Sequence, residues 1–131
     1  MIVKKNEHLE QSLFVSWFRA TFPGVVIFAI PNGGHRNKVV AYKLKMEGVL
    51  PGVPDLFIPE WRLWVEMKKE KEGKISEEQK IIMEYLRNCG YTAQVCHGFE
   101  EAKRFIIGFL DSLQYVAPTP SRSVAKQIIE S

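Results

Sequence analysis

The strongest constraint on the fold is a pair of apolar runs with charged groups at their outer ends. They read Asp55-Leu56-Phe57-Ile58-Pro59-Glu60-Trp61-Arg62-Leu63-Trp64-Val65-Glu66-Met67-Lys68. A short turn joins the runs, so the segment is predicted to be a β-hairpin. Side chains at i and i+2 of a strand share a face. Glu66 and Lys68 therefore point one way, and Val65 and Met67 the other. Pairing within the hairpin can then set Asp55 beside Glu66. Two carboxylates and an ammonium at one end of a sheet suit a divalent cation and a phosphate, the chemistry of metal-assisted phosphodiester hydrolysis.

A chain of 131 residues, 46% of them hydrophobic, has enough apolar material for one core. The net charge of +3 would not by itself mark a nucleic-acid binder, but its placement is informative. From Asn32 to Met46 there are four basic residues, Arg36, Lys38, Lys43 and Lys45, together with His35 and no acid. Cys89 and Cys96 show no C-x-x-C spacing and cannot define a disulfide framework. They are expected to be reduced structural residues, as in a cytoplasmic protein of a bacterium or a phage-infected host cell. The opening residues lack the apolar stretch of a secretory signal. No apolar run approaches the roughly 18 residues that would suggest a membrane span.

Apolar positions Leu9, Leu13, Phe14, Trp17 and Phe18 predict a helix over about 7–21, stopped by Pro23-Gly24. Val25 to Ile30 reads as a buried strand and Pro31-Asn32-Gly33-Gly34 as a loop. Lys38 to Glu47 reads as a second helix closed by Gly48. After the hairpin, Ser76-Glu77-Glu78-Gln79 has the form of a capping box. It opens a helix carrying Ile81, Ile82, Tyr85 and Leu86. Tyr91 to Cys96 is a further strand, and Phe99 to about Leu113 a final amphipathic helix. The expected architecture is α/β, a mixed sheet of about four strands flanked by helices. One domain is expected over 1–114. The tail, 115–131, with a weak apolar patch at Val124, Ile128 and Ile129, is expected to be irregular or to pack on a partner.

The segments Pro31-Asn32-Gly33-Gly34, Gly52-Val53-Pro54-Asp55-Leu56, Val65-Glu66-Met67-Lys68 and Ser76-Glu77-Glu78-Gln79, with Gly90-Tyr91 beyond, stand in a distinctive order. Together they resemble the VRR-NUC family (virus-type replication and repair nucleases) of the PD-(D/E)XK superfamily, over roughly residues 7 to 110. The resemblance implies a restriction-endonuclease-like core and a phage-derived, Mg²⁺- or Mn²⁺-dependent DNA nuclease of replication or repair. It implies that Asp55 and Glu66 ligate the metal, with the Met67 backbone carbonyl a further ligand. Lys68 would orient the attacking water or stabilise the developing charge. Gln79 matches the family's polar residue on the helix after the E-x-K strand. A first-helix glutamate would complete the acidic cluster. Glu7 and Glu10 both qualify, and Glu7, with Gln11 four residues on, fits the family's Glu-x-x-x-Gln pattern better. Stand-alone members are associated with homodimers and with cutting branched DNA such as four-way (Holliday) junctions.

The residues support that chemistry independently, with simpler readings beside it. Mg²⁺ prefers oxygen ligands and is commonly held by one or two carboxylates plus waters and substrate phosphate. An alternating charged strand face would explain Glu66 and Lys68 without catalysis, but not the placement of Asp55 after Pro54. Asn32, Gly33, Gly34, His35, Arg36 and Lys38 read either as a plain glycine turn or as a backbone nest that grips a phosphate. Lys43 and Lys45 would add sequence-independent contacts to a nucleic-acid backbone. Gln79 is explained equally by the capping box and by contact with the site. Trp61, in the hairpin turn, is expected to be exposed. Two other functions fit less well. A non-catalytic nucleic-acid-binding module gains nothing from an acidic cluster facing phosphates. A glycosidase needs paired carboxyls with sugar-stacking aromatics, which Lys68 and the basic 36–45 stretch do not suit.

Overall fold

The computed structural model describes residues 6–31, 37–69, 73–113 and 122–131, and its elements follow the predicted order. They are α1 (Glu7–Thr21), β1 (Phe28–Ala29), α2 (Lys38–Met46), β2 (Leu56–Ile58), β3 (Leu63–Lys68), α3 (Glu77–Asn88), β4 (Thr92–His97), α4 (Phe99–Ser112) and α5 (Arg122–Glu130), with a 3₁₀ turn at Pro59–Trp61. The four strands form one sheet in the order β1-β2-β3-β4. β1–β2 and β2–β3 are antiparallel, whereas β3–β4 is parallel with α3 as the crossover. The sheet is thus mixed, as expected.

The period-two pattern of the hairpin divides the sheet into two faces. Leu56, Ile58, Leu63, Val65 and Met67 point to one face and join Phe14 and Phe18 of α1, Ala102 and Ile106 of α4, and Cys96 in the core. Phe57, Trp64, Glu66 and Lys68 point to the other. A row of rings runs along that second face, with Phe28 against Phe57 and Phe57 stacked on Trp64 at 4.2 Å between centroids.

Several local expectations change. Asn6 caps α1, its side chain accepting from the Leu9 N–H at 2.8 Å. The buried stripe of that helix is Glu10–Phe14–Phe18, while Leu13 faces solvent. The run Val25–Ile30 is not buried on both faces. Val25 and Ile27 enter the core, but Phe28 is 41% exposed, because β1 is an edge strand with regular pairing over only two residues. Trp61 is not an exposed turn residue. It packs against Phe18, Phe22 and Phe109, closing the core beneath the hairpin turn. On α3, Met83 is the buried residue, while Ile81 and Tyr85 face outward. Cys89 is exposed at the end of α3, and Cys96 is a buried strand residue; both thiols are free. The tail contains α5, whose buried Ala125 lies with Val124 and Ile128 along Val26, Phe28 and Pro59. The apolar face of α5 thus lies beside the β1 edge, which stays partly exposed. No described helix is long and apolar enough to cross a membrane.

Candidate active site

Hairpin register brings the first pair of site residues together. Leu56 pairs with Val65, which places Asp55 across from Glu66 on the second face. The Asp55 Oδ2 accepts the Met67 N–H at 2.9 Å, locking the carboxylate over the end of β3. On the other side of that strand, Lys68 gives its carbonyl to the Gly98 N–H. Backbone groups of consecutive strand residues point to alternate sides. Met67 therefore presents its own backbone groups toward Asp55.

Glu66 is the buried centre of this arrangement, 3% exposed. Its Oε1 accepts from the Gln79 side-chain amide at 2.9 Å and lies 3.7 Å from the Lys68 ammonium. Both readings of Gln79 hold at once. Its Oε1 accepts the Ser76 N–H while its backbone N–H donates to the Ser76 hydroxyl, completing the capping box. Its amide nitrogen is left to point at Glu66. The cap thus fixes the rotamer that reaches the site.

A carboxyl in a poorly solvated place beside a second carboxyl is harder to ionise. Burial pushes the Glu66 carboxyl up to about 8, and the neighbouring Asp55 adds to the shift, with Lys68 opposing it. Burial also raises Asp55, against the lowering effects of the Met67 N–H, Glu66 and Lys68. The buried Glu66 Oε2 receives no N–H or O–H donor among the described residues. A proton shared with Asp55, a water or a cation would satisfy it. An all-oxygen donor set of two carboxylates, one of them under-satisfied, fits a hard divalent ion that keeps several waters.

The first-helix glutamates divide their work. Glu10 is 1% exposed, and its carboxylate accepts the Phe99 N–H at the start of α4. It tethers α1 to α4 and satisfies an orphan donor of the helix N-terminus. Glu7 is exposed, and its charge reaches Asp55 and raises its proton affinity. No three His, Cys, Asp or Glu side chains among the described residues converge closely enough to hold a metal together. Glu7 therefore influences the Asp55–Glu66 pair without forming a three-carboxylate cluster with it. Glu10→Ala should leave the Phe99 N–H unpaired and cost about 1–3 kcal/mol of stability, read as a lowered thermal midpoint. Glu7→Gln should leave that midpoint unchanged and weaken metal-dependent cleavage more than Glu10→Gln does.

Of the expected nucleic-acid contacts, Asn32, Gly33, Gly34, His35 and Arg36 lie outside the described residues. Lys38, Lys43 and Lys45 are exposed on α2, which buries none of its residues. The Asn37 side chain caps that helix by accepting from the Val40 N–H at 2.8 Å.

This geometry agrees with comparison to known proteins. The profile of the VRR-NUC domain matches residues 2–100. The chain belongs to the VRR-NUC domain family. A solved structure described as a VRR_NUC domain protein superposes with a TM-score of 0.68 at 26% identity, covering 83% of this chain and 91% of that one. No curated protein matches the chain. The chain thus has the nuclease-type fold of a VRR-NUC domain; in its own structure Asp55, Glu66 and Lys68 share one face of the sheet and Gln79 reaches Glu66 from α3. Sequence reasoning missed Glu10 as the α1–α4 tether. Its only local signal was a carboxylate in phase with Phe14 and Phe18, where an apolar residue would otherwise be expected.

Proposed function

We propose that this VRR-NUC domain is a metal-dependent deoxyribonuclease acting on branched DNA in replication or repair. The observation that carries this reading is the half-buried Asp55 beside the buried Glu66, with the Lys68 ammonium 3.7 Å from Glu66. Asp55 and Glu66, with the Met67 carbonyl, are the residues that would hold Mg²⁺ or Mn²⁺. When bound, such an ion supplies Lewis-acid stabilisation of the phosphate and a more acidic water. Lys68 contributes a fixed positive charge on the side where phosphate charge would develop. Gln79 keeps the Glu66 carboxylate in its rotamer, so that little reorganisation accompanies reaction. Lys38, Lys43 and Lys45 supply backbone affinity that weakens with salt. A phage origin and a homodimer, whose two-fold symmetry would present two sites to opposed strands, belong to the same proposal.

The test is cleavage of labelled four-way junction, flap, nicked, linear duplex and single-stranded DNA in Mg²⁺, Mn²⁺ or EDTA, with Asp55→Asn beside the unaltered protein. Metal-dependent cutting lost in the variant is the expected result, with the junction cut fastest. Binding without cutting in any metal would favour the non-catalytic module. Lys68→Ala should abolish cleavage while leaving junction binding, measured by gel shift, within a few-fold of the original, since it removes one charge from a multi-contact surface. Full activity in that variant would remove Lys68 from the mechanism.

A further inference from the structure

His97 stands outside every role described so far, yet the sheet places it directly against Lys68. The two residues are register partners in the parallel β3–β4 pair. The next residue, Gly98, donates its N–H to the Lys68 carbonyl at 3.0 Å. The imidazole Nε2 lies 2.7 Å from the carbonyl oxygen of Gly73, in the segment that leads from β3 back to α3. A carbonyl can only accept, so Nε2 carries the hydrogen. Glu101, one turn into α4, holds the other side of the residue. Its Oε2 accepts the His97 backbone N–H at 2.6 Å and lies 3.5 Å from Nδ1. The imidazole is therefore held through Nε2 by Gly73, and the His97 backbone is held by Glu101 of α4.

Gly73 rests on Lys68. A methyl group at Gly73 would come within 2.7 Å of the Lys68 Cβ and 2.9 Å of the Lys69 nitrogen, so the glycine backbone lies directly on the base of the lysine side chain. The Lys68 side chain is only 12% exposed. A lysine stem carries about four rotatable bonds, and its ammonium is useful only where the stem is confined. Gly73 packs at the first carbon of that stem, and the His97 hydrogen bond holds Gly73 in place.

We infer that His97 is a positioning residue for Lys68: its imidazole, carried on a backbone that Glu101 holds, pins Gly73 over the lysine stem and so keeps the ammonium beside Glu66. The inference rests on the nuclease reading for what the lysine does, but not for the clamp itself. Two measurements on the full chain separate these. The first is single-turnover cleavage and KM on the preferred DNA. The second is limited trypsin digestion, with cleavage after Lys69, Lys71 or Lys74 assigned by mass spectrometry, which needs no nuclease activity.

His97→Ala should lower kcat by about 10- to 100-fold, the scale of a misplacement of about 1 Å, with KM unchanged. It should also speed tryptic cleavage in 69–74 several-fold. A glutamine amide nitrogen reaches roughly as far as the imidazole Nε2, whereas an asparagine amide does not. His97→Gln should therefore restore both readouts, and His97→Asn neither. Gly73→Ala, which leaves the imidazole intact but pushes against the Lys68 Cβ, should reproduce the loss of kcat. The inference is overturned if His97→Ala leaves both readouts unchanged. It is also overturned if the variant raises KM alone, which would make the imidazole a DNA contact, or if His97→Gln stays as impaired as His97→Ala. Faster digestion of His97→Ala in a protein that cuts no DNA would uphold the clamp and remove the nuclease reading instead.

Discussion

Glu66→Gln should abolish cleavage and, in the same protein, raise stability at neutral to alkaline pH. The two effects have one cause. In the folded chain, burial and the nearby Asp55 push the Glu66 carboxyl up to about 8. In the unfolded chain it titrates at its ordinary value, 4.5. The folded state therefore binds more protons than the unfolded one between these values, and stability falls as pH rises. The contribution of Glu66 is fully present below about pH 4.5 and is lost as pH climbs through about 8. Each pK unit corresponds to roughly 1.4 kcal/mol, so the decline amounts to a few kcal/mol. Glutamine keeps the shape, still accepts from Gln79, and can offer Asp55 an amide hydrogen in place of the shared proton. Thermal midpoints measured from about pH 5 to about pH 9 without metal should slope downward more steeply for the natural protein than for the variant, in which Asp55 alone of the pair still titrates. Adding Mg²⁺ at about pH 8 should raise the midpoint of the natural protein, because an ion that binds only the folded state displaces the proton and stabilises it. It should leave the variant unmoved. Loss of several kcal/mol of charge stabilisation at the phosphate predicts a fall in rate of about 10³-fold or more. Parallel slopes for the two proteins would mean that Glu66 is not the group that carries the buried proton.

The contrast between Glu66 and Glu10 shows which parts of the site could be read from the sequence. Asp55 and Glu66 are joined by one hairpin, and two-residue periodicity alone assigns their common face. Gln79 is fixed by the Ser76 cap three residues away. Such relations are local, so residue pattern suffices. Glu10 meets Phe99 across 89 positions, and His97 meets Gly73 across 24. Nothing in the spacing of either pair announces the contact, which exists only because α1 packs beside α4 and because the segment after β3 returns to β4. The same limit explains Trp61 and the tail. The apolar character of Trp61 was plain, but its burial depends on Phe22 and Phe109 arriving from either end of the chain. The weak patch at Val124 and Ile128 becomes intelligible once β1 proves to be an edge with α5 beside it. Ile81 and Tyr85 mislead in the opposite direction, since an amphipathic stripe locates a face without saying which neighbour, if any, it meets.

Gly52→Ala should be the most damaging single methyl group that can be added to this protein, although Gly52 touches no substrate in the proposed mechanism. Gly52 has φ +91°, a region that side chains with a Cβ rarely adopt. Its missing Cβ would lie 2.6 Å from both the carbon and oxygen of the Glu78 peptide and 2.8 Å from the Gln79 nitrogen. These are backbone atoms of the first turn of α3, which cannot rotate away as a side chain would. The substitution must either distort the turn before Pro54 or lift the start of α3 from it. Backbone strain alone costs about 1–3 kcal/mol, and the displaced helix turn adds to it. A drop in thermal midpoint of about 10 °C is expected. The damage then reaches the site from two sides. Asp55 follows Pro54 directly from the distorted turn, and Gln79 is carried by the displaced one. Their hydrogen bonds to the Met67 N–H and the Glu66 carboxylate hold the carboxyl pair in register. Cleavage should therefore fall much further in Gly52→Ala than in Gly108→Ala, where an added Cβ meets nothing within 4 Å. The measurement is kcat and thermal midpoint for both variants at a temperature where each is fully folded. If Gly52→Ala matched Gly108→Ala in both, the first turn of α3 would not be seated on Gly52, and the placement of Gln79 against Glu66 would need another support.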